Sequence, residues 1–171
     1  MEAKLQQKLA AVIRSVRLAA LGTIHDGAPM VSMVPFGPAA DFTSFYLLMS
    51  ELAPHTQDMQ KDKNVSLLIG EADDERDDPL TLARVVIRGQ AERLSMGEPG
   101  YMLAKDIYVG RFPRSAPLFE FGDFGLWRIT VKGGRFVAGF GKAFNLTRDA
   151  IRAAALASAQ EGRSGPDTGG R

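Results

Sequence analysis

Several residue types that carry chemistry are missing or scarce in this sequence. There is no cysteine, so disulfides, thiolate metal sites, iron–sulfur clusters and cysteine nucleophiles are all excluded. The two histidines, His25 and His55, are too far apart to build a zinc or iron site by themselves, although distant carboxylates could in principle complete one. We therefore expect no metal site made of protein side chains.

Long apolar runs are also absent. The longest is far shorter than the roughly 20 residues that a transmembrane helix needs. The opening segment, Met1–Lys8, is charged rather than apolar. We expect no signal peptide, no membrane span and a cytoplasmic protein.

An excess of one charge sign is missing as well. The 21 basic and 20 acidic residues leave a net charge of +1, so no global field favours nucleic acid or an anionic membrane. Any recognition of anions must therefore be local. A chain of 171 residues, 45% of them hydrophobic, is long enough for one domain with a full core.

Periodicity and turn signals predict a mainly β protein, an antiparallel barrel of six to seven strands with flanking helices. The Asp26-Gly27 pair predicts a hairpin, and Gly89 predicts a bulge. Helices are predicted over 2–15, Pro54–Lys61, 98–108 and 147–160, the last with Thr147 as N-cap, and Arg111–Pro117 is predicted as an irregular loop. Strands are predicted over Leu18–Ile24, Met30–Phe36, Phe45–Met49, Val65–Ile69, Arg84–Leu94, Phe124–Val131 and Arg135–Phe140, the last two joined by a turn at Lys132–Gly134.

The segment from Ser50 to Lys61 is a candidate anion site. Pro54 suits the first turn of a helix, where the free N–H groups of the next three residues would point outward. With Ser50 before them and Lys61 beyond, the natural ligand is a phosphate. The alternative is a solvated helix with an ordinary cap.

Four glycines lie beside aromatic residues in or near the last predicted strands: Gly122, Gly125, Gly139 and Gly141. Glycine costs stability inside a strand, so these positions indicate either the close approach of a flat ligand or simple barrel corners.

The order of several motifs resembles the flavin mononucleotide (FMN)-binding split-barrel superfamily, that of pyridoxamine 5'-phosphate oxidase. Asp26–Pro29, Val31–Pro35, Ser50 and His55-Thr56 carry the general resemblance. The later motifs resemble the branch that contains the haem-utilisation oxygenases: Asp78–Leu80 before Arg84 and Gly89, Gly122–Arg128 and Gly139–Ala143. This resemblance implies a split-barrel domain over 1–146 with the helix 147–160 packed on it. The polar segment 161–171 has nothing to bury, so we expect a disordered tail there.

The resemblance also implies a homodimer with two FMN sites, each built from both subunits. The phosphate would lie at Ser50, His55, Thr56, Gln57 and Lys61, within reach of Arg84, for which the alternative is a strand-edge arginine in water. The isoalloxazine would lie on Met33, Val34 and Met49, which are equally plausible as core. The partner subunit would add Trp127, Phe140, Gly141 and Lys142, although a lone tryptophan in a strand is more often core.

The sequence departs from this family in ways that bear on activity. The strand Met30–Phe36 lacks the basic residues of pyridoxamine 5'-phosphate oxidase, so that activity is not expected. No histidine follows His55, so haem cleavage by the relatives' C-terminal histidine is not expected either. No catalytic residue can be assigned, and the flavin itself would carry the chemistry.

The leading hypothesis is therefore an FMN-dependent oxidoreductase with an unknown small-molecule substrate. One alternative is a haem- or tetrapyrrole-binding protein, with His25 and His55 as exposed candidate ligands, although a solvated turn histidine is the safer interpretation of His25. A third possibility is a dimeric interaction module without a cofactor.

Overall fold

A computed structural model describes residues 1–161 of the chain, so the predicted disorder beyond Glu161 lies outside the described residues. The helices are α1 (Ala3–Ser15), α2 (Pro54–Lys61), α3 (Tyr101–Arg111) and α4 (Arg148–Glu161), with 3-10 helices at Pro79–Thr81 and Pro113–Glu120. The strands are β1 (Leu18–His25), β2 (Ala28–Pro35), β3 (Gly37–Pro38), β4 (Ser44–Ser50), β5 (Asn64–Gly70), β6 (Arg84–Leu94), β7 (Phe124–Val137) and β8 (Ala143–Thr147).

The strands form one antiparallel sheet that curves into a half-barrel. Its order is β2-β1-β5-β6-β7-β4-β3, and β8 pairs with the second half of β7. This confirms the predicted fold class, with eight strands in place of six to seven. Two short strands were not predicted: β3, of two residues, and β8, of five.

The hairpin that joins β1 to β2 is confirmed. His25 pairs with Ala28, which leaves Asp26 and Gly27 as a two-residue loop. Both loop residues have positive φ, 48° and 82°, as a type I′ turn requires. The bulge predicted at Gly89 is also present, because the register between β6 and β7 shifts between Arg88 and Gly89.

The turn predicted at Lys132–Gly134 is wrong. β7 runs through it as a single strand of 14 residues, and the chain turns instead at Gly139–Gly141, so Phe140 is not in a strand. The reason is a close backbone approach. A side-chain carbon added at Gly134 would overlap the carbonyl oxygen of Val86 on β6, so glycine is required by the neighbouring strand and not by a turn.

Several helix boundaries also differ from prediction. The 98–108 helix begins at Tyr101 and ends at Arg111, and the segment expected as an irregular loop forms the 3-10 helix Pro113–Glu120. The start of α4 is confirmed, because the Thr147 hydroxyl accepts a hydrogen bond from the Ala150 N–H at 3.1 Å. Glu161, expected in the tail, ends this helix.

The core is formed by two groups of buried side chains on opposite faces of the sheet. On the inner face, residues of α1, α2 and α4 pack against β1, β2 and β4–β8, with Leu9, Ile13, Met59 and Ile151 from the helices. On the outer face, α3 and the Pro113–Glu120 helix cover only the β4 and β7 end. The outward side of β2, β1, β5 and the part of β6 before Leu94, called here the open face, is not part of either core group.

The bulge provides a test of the fold. A side-chain carbon at Gly89 would lie 2.6 Å from the Thr130 carbonyl oxygen and 2.7 Å from Ile129 Cγ2. We expect Gly89→Ala to lower the free energy of unfolding by about 1–3 kcal/mol, because the added methyl overpacks a buried backbone contact. Urea denaturation with comparison of midpoints and slopes measures this.

The matched control is Gly110→Ala on α3, where nothing lies within 4 Å of the added carbon. It should be neutral or stabilising by up to about 1 kcal/mol, since alanine favours helix more than glycine does. Equal effects of the two substitutions would contradict the close approach at Gly89.

Candidate functional site

The start of α2 offers fewer free donors than the sequence predicts. The helix begins with Pro54 after Ala53, as expected. The N–H groups of Thr56 and Gln57, however, both donate to the Ala53 carbonyl, at 3.0 and 3.2 Å. This leaves at most the N–H of His55 for an anion. The Ser50 hydroxyl accepts a hydrogen bond from the Leu52 N–H at 3.3 Å, so it belongs to the turn that leads into the helix.

The other predicted phosphate residues of α2 point in different directions. Thr56 is fully buried, and its hydroxyl has no hydrogen-bond partner among the described residues. Gln57 and Lys61 are exposed, and the Lys61 Nζ lies 3.6 Å from Asp26 Oδ1 in the hairpin loop. The side chains of the five predicted phosphate residues therefore do not converge on one point, although the residues are near one another in the chain: Ser50, His55, Thr56, Gln57 and Lys61.

His55 is poorly suited to carry positive charge. Burial lowers the pKa of its imidazole below the ordinary value of 6.5, and the nearby Asp58 carboxylate only partly opposes this effect. The side chain is therefore neutral at pH 7. A bound phosphate would have to raise this pKa to gain a charge-assisted hydrogen bond from His55.

Sequence reasoning missed a buried carboxylate, Asp58, which joins α2 to the hairpin. It is fully buried, and it accepts hydrogen bonds from the Thr23 hydroxyl at 2.9 Å and from His25 Nδ1 at 2.8 Å. Asp58 lies among the buried residues of α2, with Thr56 and Met59, but nothing in the sequence marks it as a buried acid. Asp58 therefore fixes the orientation of the His25 ring, which is not simply a solvated turn residue.

The hydrogen bonds at Asp58 set its protonation state. Burial alone raises the pKa of its carboxyl, but the bonds from His25 and Thr23 outweigh it, so the pKa lies below the ordinary 3.8. Asp58 is thus ionised at neutral pH, inside the protein, with its charge held by two donors.

Arg84 lies far from the start of α2. Arg84 pairs with Val137 at one end of β7, and Ser50 pairs with Phe124 at the other end. The Arg84 guanidinium donates to the Leu82 carbonyl at 3.2 Å and lines a cavity of about 320 Å³ that Met33 also lines. One protomer therefore brings Arg84 together with Met33 but not with the α2 residues.

Three predicted flavin contacts belong to the core of their own protomer. Val34, Met49 and Trp127 are only 3%, 5% and 3% exposed and lie in the inner-face group. The Trp127 Nε1 has no hydrogen-bond partner among the described residues. The indole is therefore not exposed for contact with a cofactor bound by a second subunit. A cofactor role for these three residues stays a prediction.

The remaining predicted residues lie in the turn between β7 and β8. Phe140 is 74% exposed, and Gly141 has a positive φ of 71° that suits glycine. Lys142 lines a separate cavity of about 700 Å³ beside α1, together with Lys4 and Lys8. Phe140 and Gly141 are accessible to a partner, and their contact with one stays a prediction.

The open face is the largest feature that sequence reasoning did not locate. Its apolar side chains are strongly exposed, Val31 by 69% and Met33 by 68%, and Leu18, Ile24 and Leu68 are exposed beside them. Cavities of about 660 and 320 Å³ lie along this face. An exposed apolar patch of this kind marks a site for a ligand or a second protein.

The part of the chain that the structure describes contains no candidate metal site and no candidate membrane-spanning helix. Within residues 1–161, no three histidine, aspartate or glutamate side chains are grouped so as to hold a metal ion. Over the same range, none of the helices combines the length and apolarity that crossing a bilayer demands.

An antiparallel half-barrel with flanking helices is the architecture of the split-barrel proteins. The chain belongs to the CREG beta-barrel family, whose model matches residues 2–151. The predicted resemblance to the split-barrel superfamily and its haem-utilisation branch is confirmed.

Individual relatives agree with this assignment. Over 120 residues the chain is 34% identical to the chloroplastic non-canonical heme oxygenase HOZ of Arabidopsis thaliana. The match covers 70% of this chain and 35% of that protein, so the chain spans about a third of that relative. A heme binding protein from Mycobacterium smegmatis superposes with a TM-score of 0.78 at 25% identity, covering 90% of this chain and 61% of that one.

A third relative is similar in fold alone. It is a Clostridium acetobutylicum protein of the pyridoxinephosphate oxidase family, with a TM-score of 0.66 at 18% identity, over 88% of this chain and 99% of that one. The relatives therefore include proteins named for haem as well as a protein named for the pyridoxinephosphate oxidase family.

The Asp58 network predicts a specific pH dependence. Because the folded-state pKa of Asp58 lies below the unfolded value of 3.8, its stabilising effect is complete above that pH and is lost as the pH falls below it. We expect Asp58→Asn to destabilise the protein at pH 7 and the difference from wild type to narrow below about pH 3.8. Chemical denaturation at pH 7, 5, 4 and 3 measures this.

Asp106→Asn is the matched control, because Asp106 is exposed on α3. It should change the free energy of unfolding little at any of these pH values. A stability difference between wild type and Asp58→Asn that stays constant from pH 7 to pH 3 would count against the buried network.

Proposed function

We propose that this chain is a homodimeric haem-binding protein that holds haem against the open face, where the two copies meet. The observation that carries the proposal is the exposure of that face, an apolar and partly concave surface of four strands in a chain of the CREG beta-barrel family. The haem-binding and heme oxygenase relatives support haem as the ligand.

The apolar character of the open face supports a dimer. Val31 and Met33 on β2 lie beside Gly22 and Ala20 on β1, so small and large apolar residues alternate across the strand pair. Leaving such a surface in water forgoes roughly 25 cal/mol for each Å² that a partner could cover. A second copy of the chain presents the same surface, and a twofold contact of this kind is self-complementary.

Titration of the purified protein with haemin tests the ligand. We expect the Soret band to shift and to saturate at one haem per chain, because a defined cavity holds a defined number of ligands. Absorption from 350 to 700 nm, with bovine albumin as a non-specific comparison, measures this. A featureless, non-saturating increase in absorbance would reject the proposal.

The dimer has its own test. We expect Val31→Asp and Met33→Asp to raise the free energy of dimerisation by about 3–5 kcal/mol each, the usual cost of an uncompensated buried charge. Sedimentation equilibrium over a range of protein concentrations measures the dissociation constant.

Met96→Asp is the control for charge alone, since Met96 is 82% exposed in the segment between β6 and α3. It should leave the dimer intact. A wild-type chain that sediments as a monomer at all concentrations would contradict the dimer.

FMN binding, with oxidoreductase activity, is the second candidate function. The observation that favours it is the unpartnered hydroxyl of Thr56 in the first turn of α2, since a buried polar group without a partner costs about 1–3 kcal/mol. If that hydroxyl serves a flavin phosphate, Thr56→Val should weaken FMN binding in a fluorescence-quenching titration. An unchanged affinity would remove the support that Thr56 gives to this function.

A further inference from the structure

The larger cavity of the open face has a distinctive floor. It measures about 660 Å³ and lies between the hairpin end of β1–β2 and the bulge of β6–β7. Gly22, Gly89 and Gly133 line it, so backbone rather than side chain forms part of its surface. Ile24 and Val31 add exposed apolar side chains at one side. A floor of this kind accepts a flat apolar ring system.

Two cations stand on the opposite side of the same cavity. Arg88 on β6 is the cross-strand partner of Gly133, and Lys132 directly precedes that glycine on β7, so the two side chains emerge beside each other at the bulge. Both are exposed, and both line the cavity.

These cations lack the partners that neighbouring basic residues have. Arg93 pairs with Glu51 at 2.7 Å, and Arg128 pairs with Glu92 at 2.8 Å. Within residues 1–161, neither the Arg88 side chain nor the Lys132 side chain makes a hydrogen bond or an ion pair, and no aspartate or glutamate lines the cavity. The cavity therefore combines an apolar floor with uncompensated positive charge along one edge.

We propose that Arg88 and Lys132 bind the two propionate carboxylates of haem, whose macrocycle lies over the glycine floor. This inference rests on the proposed haem binding and adds its orientation. Haem carries both carboxylates on one edge of an apolar ring, which matches the distribution of charge in the cavity. A guanidinium forms bidentate hydrogen bonds to one carboxylate, and the flexible ammonium reaches the other.

The test compares haemin with its dimethyl ester, in which both propionates are uncharged. The wild-type chain should bind haemin about tenfold or more tightly than the ester, because two charge-assisted interactions are lost in the ester. The double variant Arg88→Gln/Lys132→Gln should bind haemin about tenfold or more weakly than wild type, and should bind haemin and ester equally. Soret titrations measure all four dissociation constants.

The matched control is Arg114→Gln/Lys4→Gln, which removes the same net charge from exposed positions outside this cavity. It should bind haemin as wild type does. Raising the salt concentration should weaken haemin binding to wild type and have little effect on the Arg88→Gln/Lys132→Gln variant, since salt screens exposed ion pairs.

The outcomes separate the two proposals. If wild type saturates with haemin but binds the ester equally well, the propionate assignment is wrong while haem binding stands. If wild type binds no haemin, haem binding and the propionate assignment both fail. A loss of FMN affinity in the double variant would then assign the two cations to a flavin phosphate. A haemin affinity unchanged in the double variant also overturns the assignment.

Discussion

The pairing of β6 with β7 is the constraint on which the rest of the structure depends. It runs along both strands from Arg84 and Val137 to Leu94 and Leu126, and it is interrupted only at the bulge. A bulge bends its strand and increases the local twist. The first half of β7 pairs with β4 on its other side, and the second half pairs with β8. One ladder thus connects both ends of the half-barrel.

The two halves of the sheet are covered differently. At the β4 and β7 end, α3 packs on the outer face and places Tyr101, Ala104 and Tyr108 against it. At the β2, β1, β5 and β6 end, the inner face is packed by α1 and α2, and the outer face keeps Val31 and Met33 exposed. The fold is stabilised from the inside, which leaves the open face available for recognition.

Local signals in the sequence predicted the parts of the fold that local physics determines. The hairpin at Asp26-Gly27 follows from two residues that tolerate positive φ, and the N-cap at Thr147 follows from one hydroxyl. A turn was wrongly predicted at Lys132–Gly134 because the sequence shows that glycine is needed there but does not show the reason. There the reason is the backbone of β6, which only the tertiary structure reveals.

The candidate site was less predictable for the same reason. The family resemblance placed Arg84 and Ser50 at one phosphate site, and only the strand register shows that they pair with opposite ends of β7. Asp58 could not be recognised as a buried charge without its donors, Thr23 and His25, which precede it by 35 and 33 residues. The open face depends on which side of each strand is covered, and the β1 sequence, apolar on both sides, does not reveal it.

The packing of α1 against α4 has a consequence for synthesis. Arg14 on α1 donates to the Ala155 carbonyl of α4 at 3.1 Å, across 141 residues of sequence, and its guanidinium also reaches the Ser158 hydroxyl. The apolar side of α1, with Leu9, Val12 and Ile13, thus has no α4 to pack against until almost all of the described chain has left the ribosome. During translation α1 therefore lacks that neighbour, and this part of the inner core can be completed only when α4 docks.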